Sequence, residues 1–174
     1  MARCVRPGKL PVPQVVVKTV CMAGTFTQLY VQAVFAVKGR ENLIHSQWAD
    51  RMYGYMAGII KEKQQKSIII NGMPDHVHVF FGLRPGMTVM EIIREVKCCS
   101  SKFINDNRLV RGRFSWQEGY GAFSYSHSQI NNVYQYILNQ QIHHQRKTFR
   151  EEYKELLVQF DIEHNDRYLF EFYE

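Results

Sequence analysis

The sequence predicts an α+β domain whose elements run strand, helix, strand, strand, helix, strand, followed by two more helices. Three observations carry this. Apolar residues alternate in steps of two over some stretches and recur at helical spacing over others. A tight hairpin, Ser67 to Leu83, sits between the first two helical stretches. Capping signatures, a Ser or Thr followed three residues later by Glu or Gln, open the later helices. A βαββαβ order is that of the ferredoxin-like split βαβ fold: an antiparallel sheet with two helices on one face, here plus C-terminal helices.

Residues 1–23 stand apart. Pro7, Pro11 and Pro13 punctuate them, and the short apolar patch Val15-Val16-Val17 is interrupted by Lys18, which is too broken for a signal peptide. They read as an N-terminal extension outside the fold, with Met22 as an alternative start, and 24–174 as a single domain. Thr25 to Val37 alternates and predicts the first strand. From Ser46, Trp48, Met52, Tyr55, Met56, Ile59 and Ile60 share one helical face. Ser67-Ile68-Ile69-Ile70 is β-branched, Asn71-Gly72 and Pro74-Asp75 are turn formers, and His76 to Leu83 is the return strand. Thr88 and Glu91 cap a second helix with Val89, Ile92, Ile93, Val96 and Phe103 inward. Phe114 to Tyr125 predicts a last strand loosened by Gly119 and Gly121. Ser126 and Gln129 cap a third helix reaching about Gln145, and Thr148 and Glu151 a fourth with Tyr153, Leu156, Leu157 and Phe160 as its stripe.

The formal charge of +6 is unevenly spread: residues 24–150 carry a net +8 and residues 151–174 a net −6. Positive charge on the working part favours a polyanionic partner. Arg94, Lys97 and Lys102, and Arg146 and Lys147 near the end of the third helix, are candidate phosphate contacts. A solvated helix face, and the ordinary preference of a helix C-terminus for cations, explain them equally well. Four cysteines with no CxxC spacing suit a reducing cytoplasm. No apolar run approaches the ~20 residues of a membrane span.

Two pairs of residues carry chemistry. Alternation puts His76 and His78 on one strand face, about 7 Å apart, where two imidazoles can converge on one metal ion. Taken alone, the same pattern is two polar positions on a half-exposed strand. In the third helix Tyr136 and Gln140 are four apart and share a face, offering a nucleophile and an amide oxygen together. Taken alone, they read first as a core tyrosine with a glutamine at its solvent edge.

Several ordered motifs together resemble a known family. His76-Val77-His78 is similar to the signature of the HUH nucleases. The tracts Asn71 to His78, Ser101-Lys102-Phe103-Ile104-Asn105, Phe114 to Phe123 and Tyr136-Ile137-Leu138-Asn139-Gln140 resemble the single-tyrosine HUH transposases of simple bacterial insertion sequences, the insertion-sequence-200-like type. The resemblance implies a homodimer with composite active sites that cuts and rejoins single-stranded DNA with hairpin ends through a 5′-phosphotyrosine. It implies Tyr136 as nucleophile and His76, His78 and Gln140 as ligands of a divalent metal, Mg²⁺ with Mn²⁺ able to substitute. It also implies a bacterial cytoplasmic location. Asp75 is a candidate for orienting a histidine, although turn chemistry also explains it. REP-associated tyrosine nucleases are similar but usually show Asn-Pro where this chain has Asn139-Gln140. The rival readings are a non-catalytic RNA- or single-stranded-DNA-binding module of the same fold, and a metal-dependent phosphodiesterase that uses water.

Overall fold

The computed structural model describes residues 26–165 and 169–170, so the N-terminal extension lies outside the described residues. The elements are β1 (Leu29–Ala36), α1 (Ser46–Glu62), β2 (Lys66–Met73), β3 (His76–Leu83), α2 (Val89–Asp106), β4 (Gly121–Tyr125), α3 (Ile130–Leu138), α4 (Gln140–His143) and α5 (Phe149–Gln159). The sheet order is β2-β3-β1-β4 and every neighbouring pair is antiparallel. That is the expected ferredoxin-like arrangement.

Alternation divides the sheet into two unlike faces. Val31, Ala33, Phe35, Val77, Val79 and Phe81 pack with Met52, Met56, Ile60, Ile92, Ile93 and Val96 of α1 and α2. The opposite face carries Gln32, His76 and His78 between two apolar flanks. On the β2 side, Tyr30 and Phe80 meet Val133 and Ile137 of α3. On the β4 side, Val34, Ala36 and Phe123 meet Phe149, Tyr153, Leu156 and Leu157 of α5. The C-terminal helices therefore cover the face that carries the histidines, and a buried chamber lies between α3 and α5.

Two glycines make these close approaches possible. A Cβ on Gly72 would sit 2.2 Å from the His76 carbonyl oxygen and 2.8 Å from Val77 Cα, so the hairpin closes this tightly only with glycine. A Cβ on Gly121 would come within 2.7 Å of the Tyr153 ring, so the bare position leaves room for that α5 side chain over β4. Gly121 is thus a seat for α5, where the sequence suggested a loosened segment.

Asn71-Gly72, read as turn formers, lie inside β2, so Pro74-Asp75 alone makes the turn, and Tyr55, read on the inward face of α1, is exposed. Elsewhere the local predictions hold with three differences. The first strand begins at Leu29, four residues later than predicted. Of the stretch Phe114 to Tyr125 only the last five residues are a strand; upstream, Trp116 makes an isolated bridge to Val37. The reason is side-chain competition. Phe114 and Trp116 turn into the core shared with α1 and α2, and the Trp116 indole donates to Ser100 Oγ at 2.9 Å. The third difference is a break at Asn139 in the predicted third helix, which opens with a 3₁₀ turn, His127–Gln129. There the Asn71 side-chain amide donates to the carbonyls of Ile137, 2.8 Å, and Leu138, 3.2 Å, satisfying groups left free at the helix end.

Candidate active site

Strand pairing fixes the first two members. His76 and His78 lie opposite Ala36 and Val34 of β1, fully buried, with ring centroids 5.3 Å apart. His76 Nδ1 donates to Asp75 Oδ1 at 2.7 Å, and Phe149 stacks on its ring at 3.9 Å. Asp75 thus holds the Nδ1 side of the His76 ring. His78 Nδ1 meets the Gln32 side-chain amide at 2.8 Å, and the Tyr125 hydroxyl holds the other end of that amide. Both rings are thus anchored at Nδ1, and among the described residues both buried Nε2 atoms have no hydrogen-bond partner.

The side chain at the middle of the chamber is Glu152, on the first turn of α5, and sequence reasoning missed it. Its two oxygens have separate surroundings. Oε2 lies 3.7 Å from His76 Nε2, 3.6 Å from His78 Nε2 and 3.1 Å from His144 Nε2. Oε1 accepts from Gln140 Nε2 at 2.9 Å and from the Tyr136 hydroxyl in a short hydrogen bond. Burial opposes the carboxylate's charge, but His78, His144 and His76 together hold its pKa well below the usual range. The same charge acts on its neighbour: burial first, then Glu152, push the Tyr136 hydroxyl well above the ordinary tyrosine value. Burial pulls His76 down to about 4, so its imidazole is neutral and its Nε2 lone pair is available.

These donors fit a divalent metal. The ligating atoms of His76, His78 and Glu152 lie within 4.8 Å of one another. Gln140 Oε1 is likewise buried without a partner. Orphaned buried polar atoms aimed at one point are costly unless a ligand satisfies them. A cleft of about 290 Å³ reaches the site from outside between α3 and α5, lined by Tyr125, Asn132, Tyr136, His143 and Glu152 among others.

A family model described as "Transposase IS200 like" matches residues 25–140, well over half of the chain and all the strands and helices from β1 to α3. The chain belongs to this transposase family. Among curated proteins none matches it. Two solved structures share the IS200-like fold. One is a candidate transposase from Deinococcus radiodurans R1, 21% identical, covering 67% of this chain and 94% of its own, with a TM-score of 0.55. The other is a REP-associated tyrosine transposase bound to a REP hairpin, 15% identical, covering 67% of this chain and 68% of its own, with a TM-score of 0.51. At these identities both speak for the fold alone.

Among the residues singled out from sequence, the structure brings His76, His78, Tyr136, Gln140 and Asp75 together. Tyr136 lies beside the His78 of its own chain, ring centroids 5.9 Å apart. Arg146 and Lys147 border a second groove that also touches Tyr136, although Lys147 is paired with Glu155 at 2.7 Å. Arg94, Lys97 and Lys102 are on α2, across the sheet from the histidines. Of these, Lys97 is engaged structurally: its ammonium donates to the carbonyls of Gln117 and Gly119 at 2.6 and 2.7 Å, and burial lowers its pKa to about 8. Glu152 had a signal in the sequence. It sits within the inward stripe Phe149, Tyr153, Leu156, Leu157, where a carboxylate needs partners. Among the described residues no helix is long and apolar enough to cross a membrane.

Proposed function

We propose that this chain cleaves and rejoins single-stranded DNA at insertion-sequence ends through a 5′-phosphotyrosine. One observation carries the reading: the Tyr136 hydroxyl and the metal-ligating atoms of two histidines converge on a single buried carboxylate, at the end of an open cleft. Tyr136 Oη, oriented by its hydrogen bond to Glu152 Oε1, attacks the scissile phosphorus and gives up its proton to solvent in the cleft. The P–O3′ bond breaks, and the departing oxygen takes up a proton to become a free 3′-hydroxyl. The 3′-hydroxyl of a second end then attacks the phosphotyrosine, which re-forms a phosphodiester and returns Tyr136 without any external energy source. His76, His78, Gln140 and Glu152 would hold a divalent ion, Mg²⁺ or Mn²⁺, which when bound neutralises and aligns a non-bridging phosphate oxygen. Phe149 and the α3–α5 cover keep bulk water from the phosphotyrosine, which favours rejoining over hydrolysis.

A DNA hairpin is the proposed recognition element, supported by the family and by the hairpin bound to the REP-associated relative. Arg146 borders the groove beside Tyr136 and is the first candidate for a phosphate contact there, with Lys147 as a further candidate; Arg94 and Lys102, across the sheet, could meet DNA only on the other face. The proposed assembly is a homodimer.

The test is an SDS-stable protein–DNA adduct formed from labelled single strands carrying the element ends and a divalent metal. A water-using phosphodiesterase cleaves without an adduct, and a binding module does neither. Co-folded heterodimers of Tyr136→Phe with His76→Ala then decide where the tyrosine acts. A cross-subunit site, as the family resemblance implies, restores cleavage to at most half. A within-chain site restores none.

A further inference from the structure

A further cleft, of about 630 Å³, opens beside the active site at the end of the sheet where β1 runs out. Three segments are tied together there. Val37 N donates to the Asp75 carbonyl at 2.8 Å, Lys38 N to the Ser115 carbonyl at 3.0 Å, and Gln117 N to the Ala36 carbonyl at 2.9 Å. Ala36 is the β1 residue opposite His76, so Gln117 is one main-chain hydrogen bond from the strand pair that carries the histidines. Tyr120, on the loop before β4, Tyr153, on α5, and Phe170 give the cleft aromatic walls. Phe170 meets Tyr153 with ring centroids 4.7 Å apart and Phe149 at 5.7 Å, and Phe149 stacks on His76. The cleft and the histidines thus share one row of rings. The buried polar side chain among the lining residues is Gln117, 8% exposed, whose Oε1 has no hydrogen-bond partner among the described residues. Lys97 holds its loop from the α2 side, through the carbonyls of Gln117 and Gly119.

We propose that this cleft takes one unpaired nucleobase of the DNA strand bound at Tyr136, and that Gln117 reads the edge of that base. The inference rests on the proposed cleavage of single strands and deepens it by adding a source of sequence choice. The lining favours a base over the rest of a strand. Aromatic walls around one buried amide suit a flat group with apolar faces and a polar edge, and the cleft is of the size that such groups occupy. The charged side chains that border it among the described residues are Lys38 and Glu118, both exposed and of opposite sign, so their charges offset and a phosphate gains little there. A buried amide oxygen without a donor is costly, and an exocyclic amine of a base supplies the donor. The amide presents an acceptor and a donor side by side, and the usual match for glutamine is the N6 amine and N7 of adenine. Adenine is therefore the expected base. The Lys97 bonds hold Gln117 and Tyr120 in place before the strand arrives, so little ordering is left for binding.

The test reads binding without cleavage. Full-length protein free of divalent metal is titrated into fluorescein-labelled homopolymers of dA, dC or dT roughly eight nucleotides long, and fluorescence anisotropy gives each Kd. The wild-type protein should bind dA roughly 10-fold more tightly than dC or dT. Gln117→Ala should bind all three alike, at the weaker level. Gln117→Glu, whose carboxylate only accepts, should move the preference to dC; a glutamine with a merely structural role would not redirect base choice. Tyr120→Ala removes one wall and should weaken dA binding by roughly 10-fold while leaving dC and dT near their wild-type values. That variant keeps the test decisive if a Gln117 variant fails to fold. Equal wild-type affinities, as expected if the chain itself fills the cleft, a dA preference that survives in Gln117→Ala, or binding of none of the three would overturn the inference. The adduct assay judges the reaction separately. A dA preference that depends on Gln117, without an adduct, upholds the pocket and refutes strand cleavage by Tyr136; an adduct without any base preference does the reverse.

Discussion

Val31, Ala33 and Phe35 of β1 meet α1 and α2, whereas Gln32, between them in the chain, meets His78 and Tyr125 on the other side of the sheet. The same strands thus build a hydrocarbon layer and a polar chamber, both buried. The hydrocarbon layer is satisfied by packing alone, and any apolar side chain of suitable volume meets its needs. The chamber is satisfied only by particular partners. His76 Nε2, His78 Nε2 and Gln140 Oε1 have none among the described residues, and each such atom costs about 1–3 kcal/mol. The apolar flanks on α3 and α5 hold the chamber shut around that cost. Apolar packing is concentrated on one face of the sheet and unsatisfied polar atoms on the other.

If this division is right, Tyr136→Phe should lower adduct formation by roughly 10³-fold or more. Its melting temperature should stay near that of the parent, because Gln140 still donates to Glu152 Oε1. An adduct on another residue would move the nucleophile. On the opposite face Phe81→Ala should cost about 3–5 kcal/mol in denaturant unfolding, since Phe81 is fully buried among the α1 and α2 contacts. A loss below about 1 kcal/mol would break the contrast. Glu152→Gln should weaken divalent-metal binding by roughly 10- to 100-fold. The rise in melting temperature that Mn²⁺ gives the wild-type protein should shrink accordingly, and an undiminished rise would remove Glu152 from the coordination set. The smallest effects come from two matched caps. Thr88 and Thr148 each accept from a glutamate amide three residues on, so either change to alanine should cost about 1 kcal/mol. Only Thr148→Ala should also reduce metal affinity, because it loosens the helix that carries Glu152; equal metal affinity in the two variants would show that the helix start does not position the carboxylate.

What could be read from the sequence was local. The shared face of His76 and His78 follows from the two-residue strand repeat, and the capping boxes at Thr88 and Thr148 need only four residues each. The hairpin was equally plain, since Gly72 and Pro74 act over short distances. Assigning Tyr136 and Gln140 needed the family resemblance, because helical spacing alone serves a core tyrosine as well. Glu152 was hidden for a different reason: its partners come from β3, α3 and α4, and no local rule brings those elements together. Charge was the poorest guide. A lysine count does not say which layer a side chain joins, and Lys97, which looked like a phosphate contact, closes a loop on the far side of the sheet. The shortened last strand was missed because Trp116 follows its core contacts instead of the ladder.

The Asn71 side chain, by gripping Ile137 and Leu138, ties the end of the tyrosine helix to the edge strand of its own sheet. To present Tyr136 to another subunit, the helix must give up both bonds, at about 0.5–1.5 kcal/mol each, and leave two carbonyls for water to solvate. Under the proposed function Asn71 would act as a clasp on subunit exchange. A residue outside the metal-ligating cluster would then set how readily two copies of this chain trade their tyrosines.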